Sequence, residues 1–277
     1  MTLEQTVARH YAHKSLERDI FDALAAAGKN LSHLVPADLS PIDEFHIGGR
    51  QATVDFAAAL GFKPGMLLLD IGAGLGGASR YFAYEQRCRV TGIDITEDYV
   101  RIAKTLARHV GLESEVAYLH GSALEMPFEP GSFDGAYMLH AGMNIREKSR
   151  LFEQVRRVLK PGGLFGIYDV MREDTSAELS FPLPWAAAPD TSFLETPATY
   201  RRLLEGAGFV VRGERNRRAF AIEFFQQMHA AMAQNGGPPR LGLHQLMGAS
   251  APQKIANMIG NLEQNLIAPV EMISVAV

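Results

Sequence analysis

Leu69-Asp70-Ile71-Gly72-Ala73-Gly74-Leu75-Gly76-Gly77 decides how this chain folds. The apolar run from Met66 to Ile71 stops at a cluster of glycines, and a helical pattern from Gly77 to Arg87 follows. Small residues at such a strand-to-helix turn let the backbone approach a ligand. The helix N-terminus adds unpaired N–H groups and the positive end of its dipole. Val90-Thr91-Gly92-Ile93-Asp94 is a second short strand, and Asp94 ends it 22 residues after Gly72, where a carboxylate can accept hydrogen bonds from a ribose diol.

The alternation of strands and helices continues outward from this pair. Tyr99 to Val110 reads as a helix, Val116 to His120 as a strand, and Phe133 to Leu139 as a strand after the turn Glu129-Pro130-Gly131-Ser132. Lys148 to Leu159 is a helix stopped by Pro161-Gly162-Gly163, Leu164 to Val170 a strand, Thr199 to Ala207 a helix and Phe209 to Arg218 a strand. Crossovers of this length give a parallel sheet covered on both faces. Phe220 to Ile267 reads as two helices broken by Gly236-Gly237-Pro238-Pro239, and Val270 to Val277 as a closing strand. Before the sheet, Val7, Tyr11, Leu16, Ile20, Leu24 and Ala27 mark a helical preface up to about Leu34. The loop Pro41 to Arg50 then opens a helix that runs to about Leu60.

The expected fold class is α/β, a doubly wound Rossmann-like seven-stranded sheet, mostly parallel, with an antiparallel C-terminal strand. One domain is expected over residues 1–277. Residues 1–61 form a helical N-terminal cover, 62–218 the cofactor-binding core, 219–268 a helical insertion acting as a lid and 269–277 the final strand.

Composition narrows the function classes. The 277 residues are 47% apolar and 21% charged, which suits a packed globular chain and excludes disorder. A formal charge of −4 argues against a protein that blankets nucleic acid or an anionic membrane with Lys and Arg. Cys88 is the only cysteine, so there is neither an intrachain disulfide nor a cysteine-based zinc cluster, and a reducing compartment is the economical reading. No apolar run approaches the roughly 18 residues of a membrane helix. The start, Met1-Thr2-Leu3-Glu4-Gln5, lacks the basic and apolar regions of a signal peptide, so a soluble cytoplasmic protein is expected.

Gly72, Gly74 and Gly77 satisfy the pattern G-x-G-x-x-G, which alone leaves a nicotinamide cofactor open. Three observations argue against one. Asp70, two residues before Gly72, would repel a pyrophosphate but can face the ammonium of an amino-acid-like ligand. None of the eight tyrosines has a lysine four residues later, so the Tyr-x-x-x-Lys pair of one large dehydrogenase class is absent. Gly121 to Phe128 and Lys160-Pro161-Gly162-Gly163 fall at the ends of later elements. At these positions the chain resembles the class I S-adenosylmethionine-dependent methyltransferases. The resemblance rests on Leu69 to Gly77, Gly92-Ile93-Asp94, Met126-Pro127-Phe128, Phe133-Asp134 and Val158 to Gly163, and spans about Phe45 to Val170. Phe45-His46-Ile47-Gly48-Gly49-Arg50, followed by Leu75-Gly76-Gly77, resembles the small-molecule branch. That branch includes sarcosine/dimethylglycine N-methyltransferases and ubiquinone/menaquinone-type C-methyltransferases.

The resemblance implies S-adenosyl-L-methionine as cofactor. Gly72, Ala73 and Gly74 would touch its methionine part, with Asp70 near the ammonium and Asp94 on the ribose. Ile95 would pack on the adenine face, with Ser122, Ala123 and Leu124 at its edge; many relatives carry Asp in place of Ser122. Leu139 and His140 would lie beside the sulfonium, and Tyr11, Gly48 and Gly49 would close the N-terminal side. Tyr11 can equally be an apolar anchor of its helix.

Methyl transfer from a sulfonium is an in-line displacement, so positioning matters most, and in favourable cases it supplies roughly 7–11 kcal/mol. His140 is the leading base if the acceptor arrives protonated, and His46 the second, each with the alternative of a purely structural hydrogen bond. Asn144 can orient an acceptor. The other histidines show no metal-ligand spacing. Met171 to Thr196 and Phe220 to Ile267 are the insertions expected to choose the substrate. Phe181, Trp185, Phe224, Phe225, Met228 and Met232 suggest an apolar enclosure for it; for Phe224, Phe225, Met228 and Met232 the alternative is ordinary core at helical spacing.

The expected reaction is methylation of a small molecule at nitrogen, oxygen or activated carbon. Expected partners are that acceptor, no nucleic acid and no inserted membrane, with room for a homodimer. The alternatives are a macromolecular methyltransferase, disfavoured by the absence of an Asn/Asp-Pro-Pro-Tyr/Phe motif and of net basic charge, and a noncatalytic binder of the same cofactor.

Overall fold

The computed structural model describes residues 2–12 and 15–277. Thr2 starts α1 (Leu3–Tyr11): its hydroxyl accepts from the Gln5 N–H while the Gln5 carboxamide accepts from the Thr2 N–H. Next come α2 (Leu16–Ala26), α3 (Pro36–Asp43) and α4 (Gly49–Leu60). The loop expected from Pro41 begins only after Asp43. Pro36 opens α3 and Asp38 accepts from the Val35 N–H, which stabilises one more helical turn than the sequence pattern suggests.

The sheet core follows as β1 (Leu67–Ile71), α5 (Gly77–Tyr84), β2 (Arg89–Asp94), α6 (Glu97–His109), β3 (Val116–His120) and β4 (Phe133–Leu139). It continues through α7 (Lys148–Val158), β5 (Leu159–Arg172), α8 (Pro197–Gly206) and β6 (Phe209–Asn216). The insertion α9 (Arg218–Gln234), α10 (His244–Met247) and α11 (Ala251–Glu263) precedes β7 (Ile267–Ala276).

The seven strands lie in the order β3-β2-β1-β4-β5-β7-β6. The first five are parallel, and β7 runs antiparallel to both β5 and β6. The expected doubly wound sheet with an antiparallel C-terminal strand is therefore what the chain adopts. Strand order reverses between β1 and β4, and that reversal opens a crevice beyond their C-terminal ends.

Side-chain alternation along β1 assigns the two faces. Leu69 and Ile71 join a core beneath α7 and α8 with Ala136, Phe152, Phe165 and Leu204. Leu68 joins the opposite core beneath α4 to α6 with Phe56, Phe82, Val90 and Tyr137. Asp70 belongs to this second face.

Boundaries differ where turns are stabilised by distant partners. Strand β5 begins at Leu159 rather than Leu164, because Leu159 pairs with Phe133 and Pro161-Gly162-Gly163 is absorbed as an irregularity before Gly135 pairs with Leu164. The expected pair of helices in the insertion is three, since His244–Met247 forms a short helix after the glycine-proline break. Trp185 and Phe225 are buried with Leu183, Met258 and Leu262, and Phe181, Phe224 and Met228 pack against that cluster. These side chains fill a satellite core between the insertions, which is the ordinary-core alternative for Phe224, Phe225 and Met228 and draws Phe181 and Trp185 into the same cluster.

Gly48 caps α4 at φ +90°, and a Cβ there would sit 2.4 Å from Cε1 of Phe220. Arg217 lies over the Phe220 ring at 4.1 Å, which leaves the ring little room to yield. Gly48→Ala is expected to cost about 2–4 kcal/mol of stability from overpacking plus left-handed strain, read as a lower urea midpoint. Gly49→Ala, with nothing near its added Cβ, should cost clearly less.

Candidate active site

The crevice at the strand-order reversal holds a cleft of about 1210 Å³, open solvent at its mouth included. Its floor is the turn after β1. Gly72 sits at φ +72° and its N–H donates to the Ile93 carbonyl at 2.9 Å. A Cβ on Gly72 would meet the Cβ of Ala141 at 2.4 Å, so only glycine lets the β1 and β4 loops pass this closely.

Asp94 clamps that turn to the start of α6. Its Oδ2 accepts from the Gly74 N–H and its Oδ1 from the Thr96 N–H, each at 2.8 Å. Burial raises the Asp94 carboxyl while the two backbone donors pull it back down. Each oxygen retains a lone pair for a ligand in the cleft it lines. Asp70 also lines the cleft, takes a 2.5 Å hydrogen bond from Ser79 Oγ at Oδ2, and is pushed up to about 7, chiefly by burial.

Along the wall toward β3, Ile95, Ala123 and Leu124 face the cleft. Ser122 does not line it. Its hydroxyl donates to Oε1 of Glu4 and accepts from the Leu124 N–H at 3.0 Å, which turns it toward α1. Gly48 and Gly49 likewise fall outside the lining, because α4 packs Gly48 against Phe220. The mouth is covered by α1 through Leu3, Glu4, Val7 and Tyr11. From the insertion meant as a lid, only Leu246 reaches the cleft.

Leu139 and His140 stand at the end of β4. His140 takes φ +50°, its N–H donates to the Tyr168 carbonyl at 2.7 Å, and its ring lies 4.9 Å from that of Tyr168. Its Nε2 is buried without a hydrogen-bond partner. Burial, then the neighbouring His46, holds the imidazole well below its ordinary pKa, so it is neutral at pH 7. His46 Nε2 lies 3.0 Å from the Gly49 carbonyl and 3.1 Å from Thr53 Oγ1, and burial pushes it down to about 4. The two imidazole rings are 5.9 Å apart.

Asn144 is braced on every side. Oδ1 accepts from Tyr11 Oη at 2.8 Å, and Nδ2 donates to the carbonyls of Trp185 at 2.9 Å and Thr191 at 3.1 Å. Its donors are occupied within the protein, so the amide holds α1 and the insertion to this loop, while Asn144 itself lines the cleft. Beneath the loop, a Cβ on Gly142 would meet Asp169 Oδ2 at 2.3 Å. That oxygen accepts from Tyr200 Oη at 2.5 Å, and burial pushes Asp169 up to about 7.

Two acidic residues of the cleft escaped the sequence reading. Glu44 accepts from Thr53 Oγ1 at 2.8 Å and is pushed up to about 8, first by burial and then by Asp43. Asp43 pairs with Arg80 at 2.6 Å through Oδ2 and leaves Oδ1 without a partner. Only their adjacency to Phe45-His46 hinted at them; their burial depends on α3 and α4 closing over α5. Among the described residues no cluster of three or more His, Cys, Asp or Glu is arranged for a metal ion, and no helix is long and apolar enough to cross a membrane.

Residues 69–167 match the family model described as a methyltransferase domain. Sterol 24-C-methyltransferase ERG6B of Gibberella zeae is 37% identical over 115 residues, 42% of this chain and 30% of that protein. The chain thus aligns with less than a third of that relative's length. Among solved structures, geranyl diphosphate C-methyltransferase from Streptomyces coelicolor A3(2) superposes with a TM-score of 0.71 at 14% identity, over 100% of this chain and 99% of that one. The [4+2]-cyclase SpnF superposes at 0.69 and 21% identity, over 100% and 97%. These two likenesses carry the fold alone. The family match over residues 69–167, the glycine turn, the carboxylate closing β2 and the strand order agree on one conclusion: the sheet core of this chain is similar to a methyltransferase domain.

Proposed function

We propose that the chain transfers a methyl group from S-adenosylmethionine to a small-molecule acceptor at the His140 end of the cleft. The observation that carries this reading is the Asp94 clamp, in which one carboxylate lining the cleft joins the glycine turn to the start of α6. The cleft fits the cofactor's chemistry. Gly74 leaves open space where a side chain would stand, and two buried oxygens on the wall, Tyr99 Oη and Asp43 Oδ1, have no protein partner.

In this reading Asp94 holds the ribose hydroxyls, Ile95, Ala123 and Leu124 enclose the adenine, and Asp70 faces the ammonium. The bound cofactor supplies an electrophilic methyl group. Leu139 and the neighbouring backbone orient it, and α1, tied down by Tyr11 and Asn144, keeps water out. Neutral His140 can take a proton at its unpartnered Nε2, which is needed only if the acceptor arrives protonated, and His46 stands second, its Nε2 held against the Gly49 carbonyl and Thr53. The nitrogen, oxygen or carbon identity of the acceptor follows from a panel assay. A small acceptor, absence of nucleic acid and action in the cytoplasm belong to the same proposal, supported by the net charge of −4 and the buried, unpaired Cys88.

Calorimetric titration with S-adenosylmethionine tests the binding half. Below about pH 7 Asp70 holds a proton that must leave before it can face a cation. Affinity is therefore expected to rise from about pH 5.5 to about pH 7.5, by at most roughly tenfold per unit, and Asp70→Asn should flatten the rise. No binding at any pH would end the proposal. The catalytic half predicts S-adenosylhomocysteine production above background with a member of an amine, phenol and quinol panel.

A further inference from the structure

We propose that Glu4, on the helix covering the cleft, accepts a hydrogen bond from the exocyclic amino group of the cofactor's adenine, so that cofactor binding and docking of α1 are one event. This rests on the reading of the cleft given above and adds a residue to it.

With the ribose on Asp94, as that reading has it, the purine edge would fall on the wall that Ala123 and Leu124 line. An amino group on that edge is a donor and needs an acceptor. Ser122, the nearest hydroxyl in sequence, lies outside the lining, and its oxygen already receives the Leu124 N–H. Its proton goes to Oε1 of Glu4, which brings the carboxylate to this wall. Glu4 lines the cleft itself, and its Oε2 has no hydrogen-bond or ionic partner among the described residues. One oxygen is thus anchored by the protein and the other is open to the ligand.

The local sequence sets this up. The capping box between Thr2 and Gln5 fixes the first turn of α1, and with it the placement of Glu4. Leu3, Val7 and Tyr11 recur at helical spacing and all three line the cleft, so the apolar stripe of α1 lies over the ligand space. Tyr11 and His10 tether the far end, to Asn144 and to the Pro184 carbonyl at 3.0 Å. A purine in the cleft would complete the packing of this stripe and satisfy Glu4 together.

The test needs no knowledge of the acceptor. S-adenosylhomocysteine and its 6-deamino analogue, with hydrogen in place of the amino group, are titrated into wild type, Glu4→Ala and Ser122→Ala. Wild type should prefer the amino compound by about tenfold or more, as a hydrogen bond to a charged group allows. Glu4→Ala should lose that preference, and Ser122→Ala should keep most of it. Amide exchange in α1 should slow when S-adenosylhomocysteine binds wild type and much less in Glu4→Ala. Equal weakening of both ligands in Glu4→Ala would mean the residue only docks the helix, and would overturn the assignment. So would a wild type indifferent to the amino group, or α1 exchange unchanged by ligand. Failure of wild type to bind S-adenosylhomocysteine at all would instead remove the reading of the cleft itself.

Discussion

Asp94→Ala is expected to weaken S-adenosylhomocysteine binding by about a hundredfold or more. The carboxylate receives two backbone N–H bonds of 2.8 Å and, in the proposed complex, the ribose hydroxyls as well. Hydrogen bonds to charged groups contribute about 1.5–3 kcal/mol each, so loss of the ribose bonds alone reaches about a hundredfold. Alanine also strands the Gly74 and Thr96 N–H groups, which loosens the glycine turn before any ligand arrives. Asp94→Asn separates charge from shape. One side-chain oxygen becomes an NH₂ that must point at a backbone N–H, so this near-isosteric change should lose almost as much. Calorimetry reads the ligand effect and thermal unfolding of the free protein reads the turn. An unchanged dissociation constant in Asp94→Ala would remove the ribose from this position.

Arg80→Ala is expected to produce the largest loss of stability. Arg80 is fully buried, and its Nη2 bonds Asp43 at 2.6 Å and the Leu75 carbonyl at 2.7 Å. Nη1 reaches Tyr118 Oη at 3.3 Å and the Ala103 carbonyl at 3.4 Å. Burial raises the Asp43 carboxyl even against the guanidinium, a sign that desolvation outweighs the pairing. Removing the cation leaves an uncompensated buried carboxylate, a change that costs about 3–5 kcal/mol. For a chain of this size that is about 10 °C in melting temperature. The double substitution Asp43→Asn with Arg80→Met removes both charges and should recover a substantial part of the loss. Urea denaturation of the two variants side by side checks this; a double variant no better than Arg80→Ala would locate the stabilisation in the carbonyl contacts of Arg80 instead.

Sequence reading succeeded where structure is set by near neighbours. Strand β1, the glycine turn and Asp94 lie within about 28 residues, and short apolar runs bounded by glycine leave few alternatives. The parallel order followed from crossover length and handedness. It fell short where a residue's role depends on what a distant segment places beside it. Ser122 was expected at the adenine edge, but Glu4 draws its hydroxyl away. Asn144 was expected near an acceptor and does line the cleft, but its ties to Tyr11, Trp185 and Thr191 come from segments that the local sequence does not announce. Gly48 and Gly49 resembled a ligand turn, whereas the missing Cβ of Gly48 makes room for Phe220. Asp43 and Glu44 carried no periodic signal, because their burial arises only when the preface closes over α5.

The contact between Gly72 and Ala141 bears on the precision of the chemistry. The turn beside Asp94 meets the loop carrying His140 through the Ala141 methyl, and Gly142 rests as closely on the Asp169 carboxylate from below. The spacing between the two loops at this point is thus set by one methyl against a glycine, a contact with no rotamer to exchange. On the proposed function, α1 and the insertions can diverge while this close approach of the two loops stays fixed.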